Sequence, residues 1–274
     1  MDAIDKQPPG RSALSRDVRP TARRAVLEDL SLVNPALIAA YPLRNGQVLP
    51  PLADPTSAST EQYRTIKVQI EHLNRAGASP IRTIVMTSPC PGDGKTLTAL
   101  NLALVLAQDE GKTVLMIDAD LHKPGLGDLF AHRPKLGLID LLAREARLTQ
   151  VLFRPEGSCL LILPSGSETV TPAELLGSTS MKSLLADFVK RFNYVIIDTP
   201  PVVPFVDADV VSILADASLL VVRSRWTPRR LVAQAVETMS KHRLLGVIMN
   251  DVRSTPFDRY YYRYDKHYYR GGKR

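Results

Sequence analysis

A lysine and a threonine close the stretch "SPCPGDGKT", residues 88–96. Small residues let a backbone turn so that its N–H groups point at phosphate oxygens. Here Lys95 can reach terminal phosphates, and Thr96 offers a hydroxyl to Mg²⁺. A helix starting at this point adds its positive N-terminus. The common pattern G-x-x-x-x-G-K-[ST] has proline, Pro89, at its first glycine. Two further acidic positions fit the same chemistry. "VLMIDADLHKP" places Asp118 and Asp120 two residues apart after an apolar run, so alternation sends both carboxylates the same way. "YVIIDTPP" ends another apolar run in Asp198. Carboxylates facing a phosphate loop can hold the water shell of Mg²⁺ and accept the proton of an attacking hydroxyl. The nucleotide-binding candidates are Pro91, Gly92, Asp93, Gly94, Lys95, Thr96 and Leu97, with Asn250 at the end of the last strand. The metal candidates are Thr96, Asp118 and Asp198; the catalytic candidates are Lys95, Asp118 and Asp120. Asp118 is the candidate base, and the division of labour among the aspartates stays open.

A second chemical signal lies at the other end. "RYYYRYDKHYYR" carries Tyr260, Tyr261, Tyr262, Tyr264, Tyr268 and Tyr269, six of the nine tyrosines. Between residues 253 and 274, seven Lys/Arg stand against two Asp, a local +5 within a chain of net charge +7. Interleaved aromatics and arginines can stack on nucleic-acid bases. Stacking would tolerate Phe or Trp, however, and the six aromatics between residues 259 and 270 are all Tyr. A requirement for the hydroxyl explains that choice better, so no nucleic-acid partner is expected and the tail is read as a phosphoacceptor. A tyrosine hydroxyl has an ordinary pKa near ~10, which is why a proton acceptor in the site helps.

The elements that must position these groups follow from periodicity. Residues 1–58 hold eight of the 21 prolines and read as a poorly ordered leader, with a short helix possible over residues 21–32. "TEQYRTIKVQIEHLNRAG" has helical spacing and ends at glycine. Beyond it, apolar runs at "TIVMTS", "TVLMID", "CLLILPSG", "YVIIDTPP", "SLLVVRS" and "LLGVIMN" alternate with helical stretches at 96–109, 138–147, 172–191, 207–215 and 228–242. The runs are continuously apolar rather than alternating, as strands of a parallel sheet covered on both faces should be. The expected fold is therefore a doubly wound, mostly parallel α/β domain over 59–252, with a tyrosine-rich basic tail over 253–274. In such sheets ligands sit beyond the carboxyl ends of the strands, where all three acidic and basic motifs fall.

Composition sets limits. A chain of 274 residues that is 45% hydrophobic and 23% charged suits one soluble domain with appendages. Two cysteines, Cys90 and Cys159, make no disulfide framework. No apolar run approaches the ~18 residues that a membrane helix needs. A cytoplasmic protein is expected, reaching the membrane only through a partner.

The set "PGDGKT", "VLMIDADLHKP", "YVIIDTPPV" and a terminal tyrosine cluster resembles the bacterial tyrosine kinases, in particular the cytoplasmic autokinases of capsule and exopolysaccharide biosynthesis. The similarity runs from about Glu61 to the end and includes "TPAELLGSTSMKSLL", "PPVVPFVDA" and "GVIMN", whose final Asn250 resembles a purine-contacting asparagine of related ATPases. It implies a P-loop NTPase fold of the partition-ATPase type and an ATP- and Mg²⁺-dependent tyrosine autokinase. Such an enzyme would act in trans on its own tail within a ring-like homo-oligomer and regulate polysaccharide polymerisation or export. It also implies a transmembrane chain-length-determinant activator and a cognate tyrosine phosphatase as partners. "EQYRTIK" resembles the family's E-x-x-R-x-x-R assembly helix, giving Glu61, Arg64 and Lys67, with lysine at the last arginine. His122 stands where the family's D-x-D-x-R pattern has arginine. The competing reading is a partition-type ATPase that dimerises on DNA or membrane. Its signature lysine early in the loop is replaced here by Cys90, and it lacks a tyrosine tail.

Overall fold

The computed structural model describes residues 37–253 apart from 78 and 133. In chain order, β1 (Ala40–Tyr41) and α1 (Pro50–Ala53) precede a 19-residue helix, α2 (Ala58–Ala76). Then come β2 (Thr83–Thr87), α3 (Lys95–Leu106), β3 (Val114–Asp118), α4 (Leu138–Leu142), α5 (Leu148–Val151), β4 (Arg154–Pro155) and β5 (Leu161–Leu163). The remainder is α6 (Pro172–Leu176), α7 (Thr179–Phe188), β6 (Tyr194–Asp198), α8 (Asp207–Ser212), β7 (Ala217–Arg223), α9 (Arg229–Met239) and β8 (Leu244–Asn250).

Six strands form one parallel sheet in the order β5-β3-β6-β2-β7-β8. Every residue of β2, β3 and β6 is buried, which is why they read as unbroken apolar runs. One face packs on a cluster containing Leu100, Leu104, Met116 and Ile196; the other packs on one containing Val85, Ile117, Leu185 and Ile197. Register fixes the geometry of the strand ends. Asp118 lies opposite Asp198 across β3 and β6, and Met86 lies opposite Asp198 across β2 and β6. The three motifs thus end on three adjacent strands.

Two sequence expectations are corrected. The long helix expected over 172–191 is two helices, because Gly177 ends α6 and the Ser178 hydroxyl caps α7 by accepting the Met181 N–H at 3.1 Å. The leader expected through residue 58 ends earlier. Within residues 37–57, β1 pairs with β4, Tyr41 stacks on Phe153 at 5.1 Å, and Leu49 is buried. The pairing is made by backbone groups, with Arg154 and Glu156 N–H donating to the Ala39 and Tyr41 carbonyls, and the packing by isolated side chains, too few to make a periodic pattern among the prolines. The possible helix at 21–32 and the tail tyrosines lie outside the described residues.

Candidate functional site

The loop after β2 turns on Gly92 (φ 84°) and Gly94 (φ 90°), left-handed conformations that favour glycine. At Gly94 the requirement is also steric, since a Cβ there would lie 2.1 Å from Asn250 Nδ2. Gly94 then caps α3, which begins at Lys95.

Lys95 is the hub. Its Nζ donates to Asp120 Oδ2 at 2.8 Å and to Thr96 Oγ1 at 3.3 Å, and lies 3.6 Å from Asp198 Oδ1. Thr96 donates its hydroxyl to Asp198 Oδ2 at 2.6 Å. Burial pulls the Lys95 pKa down, but the Asp198 and Asp120 carboxylates outweigh it and hold the ammonium above its usual value. The aspartates show the complementary effect. Burial, then the Asp198 charge, raises Asp118 well above the carboxylate range. Burial likewise raises Asp198, against the pull of Lys95 and the Thr96 hydrogen bond. Asp118 accepts the backbone N–H groups of Asp120 at 3.2 Å and Leu126 at 3.3 Å, so it also organises the loop that carries Asp120.

Among the described residues Asp198 Oδ1 is buried without a hydrogen-bond partner, with the Lys95 ammonium 3.6 Å away. A buried carboxylate oxygen with no hydrogen bond, close to the Thr96 hydroxyl, is what a hard divalent cation would satisfy, so Thr96 and Asp198 fit a Mg²⁺ shell.

The structure brings Lys95, Thr96, Asp118, Asp120 and Asp198 together. Asp93 and Asn250 brace the loop itself. Asp93 is wholly buried and turned into the loop, where Oδ2 accepts the Cys90 N–H at 3.0 Å and Oδ1 accepts the Thr227 hydroxyl at 2.6 Å. Asn250 Nδ2 donates to the Asp93 carbonyl at 2.9 Å, bracing the loop from the end of β8. Leu97 points partly outward. Sequence reasoning missed Thr227, because its partner is 134 residues away and a threonine after a strand carries no local signal.

His122 at the departure from the arginine pattern is held firmly. Its Nε2 lies 3.1 Å from both oxygens of buried Asp207, and its ring stacks on Phe205 at 4.0 Å. It ties the loop after β3 to the loop after β6. The candidate assembly residues do not share a free face. Glu61 and Arg64 pair with each other, whereas Lys67 turns to Asp109 beyond α3.

Comparison with known proteins agrees with this geometry. A family model described as an AAA domain matches residues 81–242. The chain is 38% identical to the tyrosine-protein kinase YwqD of Bacillus subtilis (strain 168), covering 77% of this chain and 89% of that protein. It is 34% identical to the succinoglycan biosynthesis transport protein ExoP of Rhizobium meliloti (strain 1021) over 78% of this chain, but spans only 29% of ExoP. Among solved structures, the chimerical protein CapA2B2 superposes with a TM-score of 0.72 at 29% identity, covering 85% of this chain and all of that one.

Proposed function

This chain belongs to the bacterial tyrosine-protein kinase family and is a protein-tyrosine kinase, and we propose that it moves the γ-phosphoryl group of ATP onto the tyrosines of its own tail, from one subunit to the next. The carrying observation is the convergence of Lys95, Thr96 and Asp198, with Asp118 and Asp120 beside them, at the ends of three neighbouring strands. Phosphoryl transfer through a loose transition state needs positioning and charge neutralisation more than covalent help. Lys95 supplies a fixed positive charge, and the amides at the start of α3 line the phosphates. When bound between Thr96 and Asp198, Mg²⁺ would neutralise phosphate charge. Asp118 is assigned the phenolic proton: its raised proton affinity suits that role, and each of its oxygens accepts only one N–H, leaving lone pairs free. His122 and Asp207 hold the loop that presents Asp120.

The acceptors are Tyr260, Tyr261, Tyr262, Tyr264, Tyr268 and Tyr269. A basic tail is attracted to a site of three aspartates, and each phosphotyrosine adds about −1.5 to −2 charges, enough after three or four to reverse the local +5. Assembly through Glu61 and Arg64, binding to a membrane activator, and removal of phosphate by a partner phosphatase would then form a cycle that gates polysaccharide polymerisation or export. ExoP, named for succinoglycan transport, supports that setting. Among the described residues no helix is long and apolar enough to cross a membrane, and in this reading the activator supplies the attachment.

The test is intact mass after incubation with Mg-ATP. The wild type should gain phosphates confined to the tail. Lys95→Met alone should gain none, but should be labelled when mixed with an active chain ending at Arg253. Phosphate elsewhere only, or an unlabelled Lys95→Met chain in the mixture, would overturn the acceptor or the trans route respectively.

A further inference from the structure

The sheet ends on a strand with an unusual edge. β8 has seven residues, "LLGVIMN", without a charge or a proline, and none of them is fully buried. Exposed edges are ordinarily blunted by lysine, proline, bulges or brevity, because their free N–H and C=O groups template further pairing. The opposite edge, β5, is only three residues long. Both faces of β8 are apolar and incompletely covered. On one side, Leu245 and Ile248 border a groove of about 630 Å³ whose far wall is Tyr63, Ile66 and Leu73 of α2. On the other, Val247 and Met249, in register with Leu220 and Val222 of β7, are 44% and 53% exposed.

We propose that residues 257–262 of this same chain, "FDRYYY", pair antiparallel with the open edge of β8 and extend the sheet by one strand. The exit of the chain carries the argument. Directly after β8, Asp251 takes a left-handed conformation (φ 53°) and is fixed by Arg223, whose Nε donates to Asp251 Oδ2 at 3.0 Å. The backbone therefore turns instead of running straight out. Val252 then lies on the rim of the groove, 61% exposed. Five residues, 252–256, separate this turn from Phe257, a length common in hairpin connections. The next six residues are rich in strand-forming aromatics, and their span of roughly 20 Å matches β8. Alternation would send Phe257, Arg259 and Tyr261 to one face and Asp258, Tyr260 and Tyr262 to the other, setting two aromatic rings against the apolar surface on each side. An antiparallel run leads away from Asn250 and the phosphate loop. On the reading that the tail is the substrate, the docked strand withholds Tyr260, Tyr261 and Tyr262 from any active site until it is released.

Hydrogen exchange on unphosphorylated Lys95→Met protein tests this without any catalysis. The β8 amides that β7 does not engage should exchange at least ten times faster in a chain ending at Arg253, and in Phe257→Gly/Tyr261→Gly, than in the full chain. Amides of β2 and β6 should not change, which controls for unfolding. Equal β8 exchange in full and shortened chains overturns the proposal. So does protection that fades on dilution, which would assign the edge to a second copy. Failure of tail phosphorylation in the wild type with the exchange difference intact would remove the kinase reading of the tail but leave the docked strand standing.

Discussion

β6 reads Y-V-I-I-D and β8 reads L-L-G-V-I-M-N, yet the first is buried at every position and the second at none. β6 has strands on both sides and helices on both faces, so its apolar residues have no other place to go. Its one charged residue, Asp198, survives there only because Lys95 and the Thr96 hydroxyl compensate it. Among the described residues β8 has one strand neighbour and incompletely covered faces. Its polar terminal residue, Asn250, reaches sideways to brace the phosphate loop. Central strands of this sheet hold charge for chemistry; the edge strand holds surface for contact, and meets the chemistry only at its last residue.

The sharpest way to break this comparison is to replace one apolar residue in each strand. Ile196, fully buried in β6, should cost about 2–5 kcal/mol when changed to alanine, measured by urea denaturation. Val247→Lys on the edge should change stability by no more than about 0.5 kcal/mol. Equal losses at the two sites would mean that β8 is packed as tightly as the centre, and the edge would lose its special standing.

A smaller effect sharpens the point where the two regions touch. Gly94→Ala requires a left-handed backbone from a residue with a Cβ, at about 1–2 kcal/mol, and drives that Cβ against Asn250 Nδ2. Nucleotide affinity, followed by titration calorimetry, should fall about tenfold or more, the equivalent of at least 1.4 kcal/mol. Pairing Gly94→Ala with Asn250→Ala should recover the part due to the clash and leave the backbone part. If the double variant binds no better than the single, Asn250 is not the obstacle that the geometry makes it.

The sheet, its helices and the cluster at its strand ends were legible in the sequence because each rests on a local pattern. A buried parallel strand is a run of apolar residues, and a carboxylate ending such a run points where ligands sit. What could not be read depends on partners far along the chain. Thr227 has no motif of its own, and its meaning comes from Asp93, 134 residues earlier. Asn250 is a candidate base contact by resemblance to related ATPases; that its Nδ2 also donates to the Asp93 carbonyl could not be read from the sequence. Lys67 fitted an assembly motif by spacing, yet long-range packing brings Asp109 within its reach. Residues 37–57 looked like leader because proline-rich chain with single apolar anchors has no period to detect.

That Lys67 contact sets the smallest of the expected effects. Asp109, in the turn after α3, takes Lys67 from α2 and Lys112 from its own turn, and Lys112 also pairs with Glu71. Burial alone would raise the Asp109 pKa, but hydrogen bonds from Lys112 and Lys67 prevail and hold it below the usual carboxylate value. A depressed folded-state pKa gives stability that is present above the unfolded value near ~3.9 and is lost as pH falls through the folded one. For Lys112 burial lowers the pKa, and Asp109 and Glu71 overcome it to push it up to about 12, so its share is present below the unfolded value near ~10.4 and lost as pH rises towards 12. The cluster is partly open to solvent, so screening leaves it about 0.5 kcal/mol or less. Asp109→Asn should therefore lower the Tm slightly at pH 7, and the gap from wild type should close as pH falls below the unfolded value near ~3.9. A gap that stays constant into acid would mean that Asp109 acts through packing rather than charge. Lys67 would then be free to serve a neighbouring subunit, and the surface of α2 would resemble the open edge more than the sealed centre.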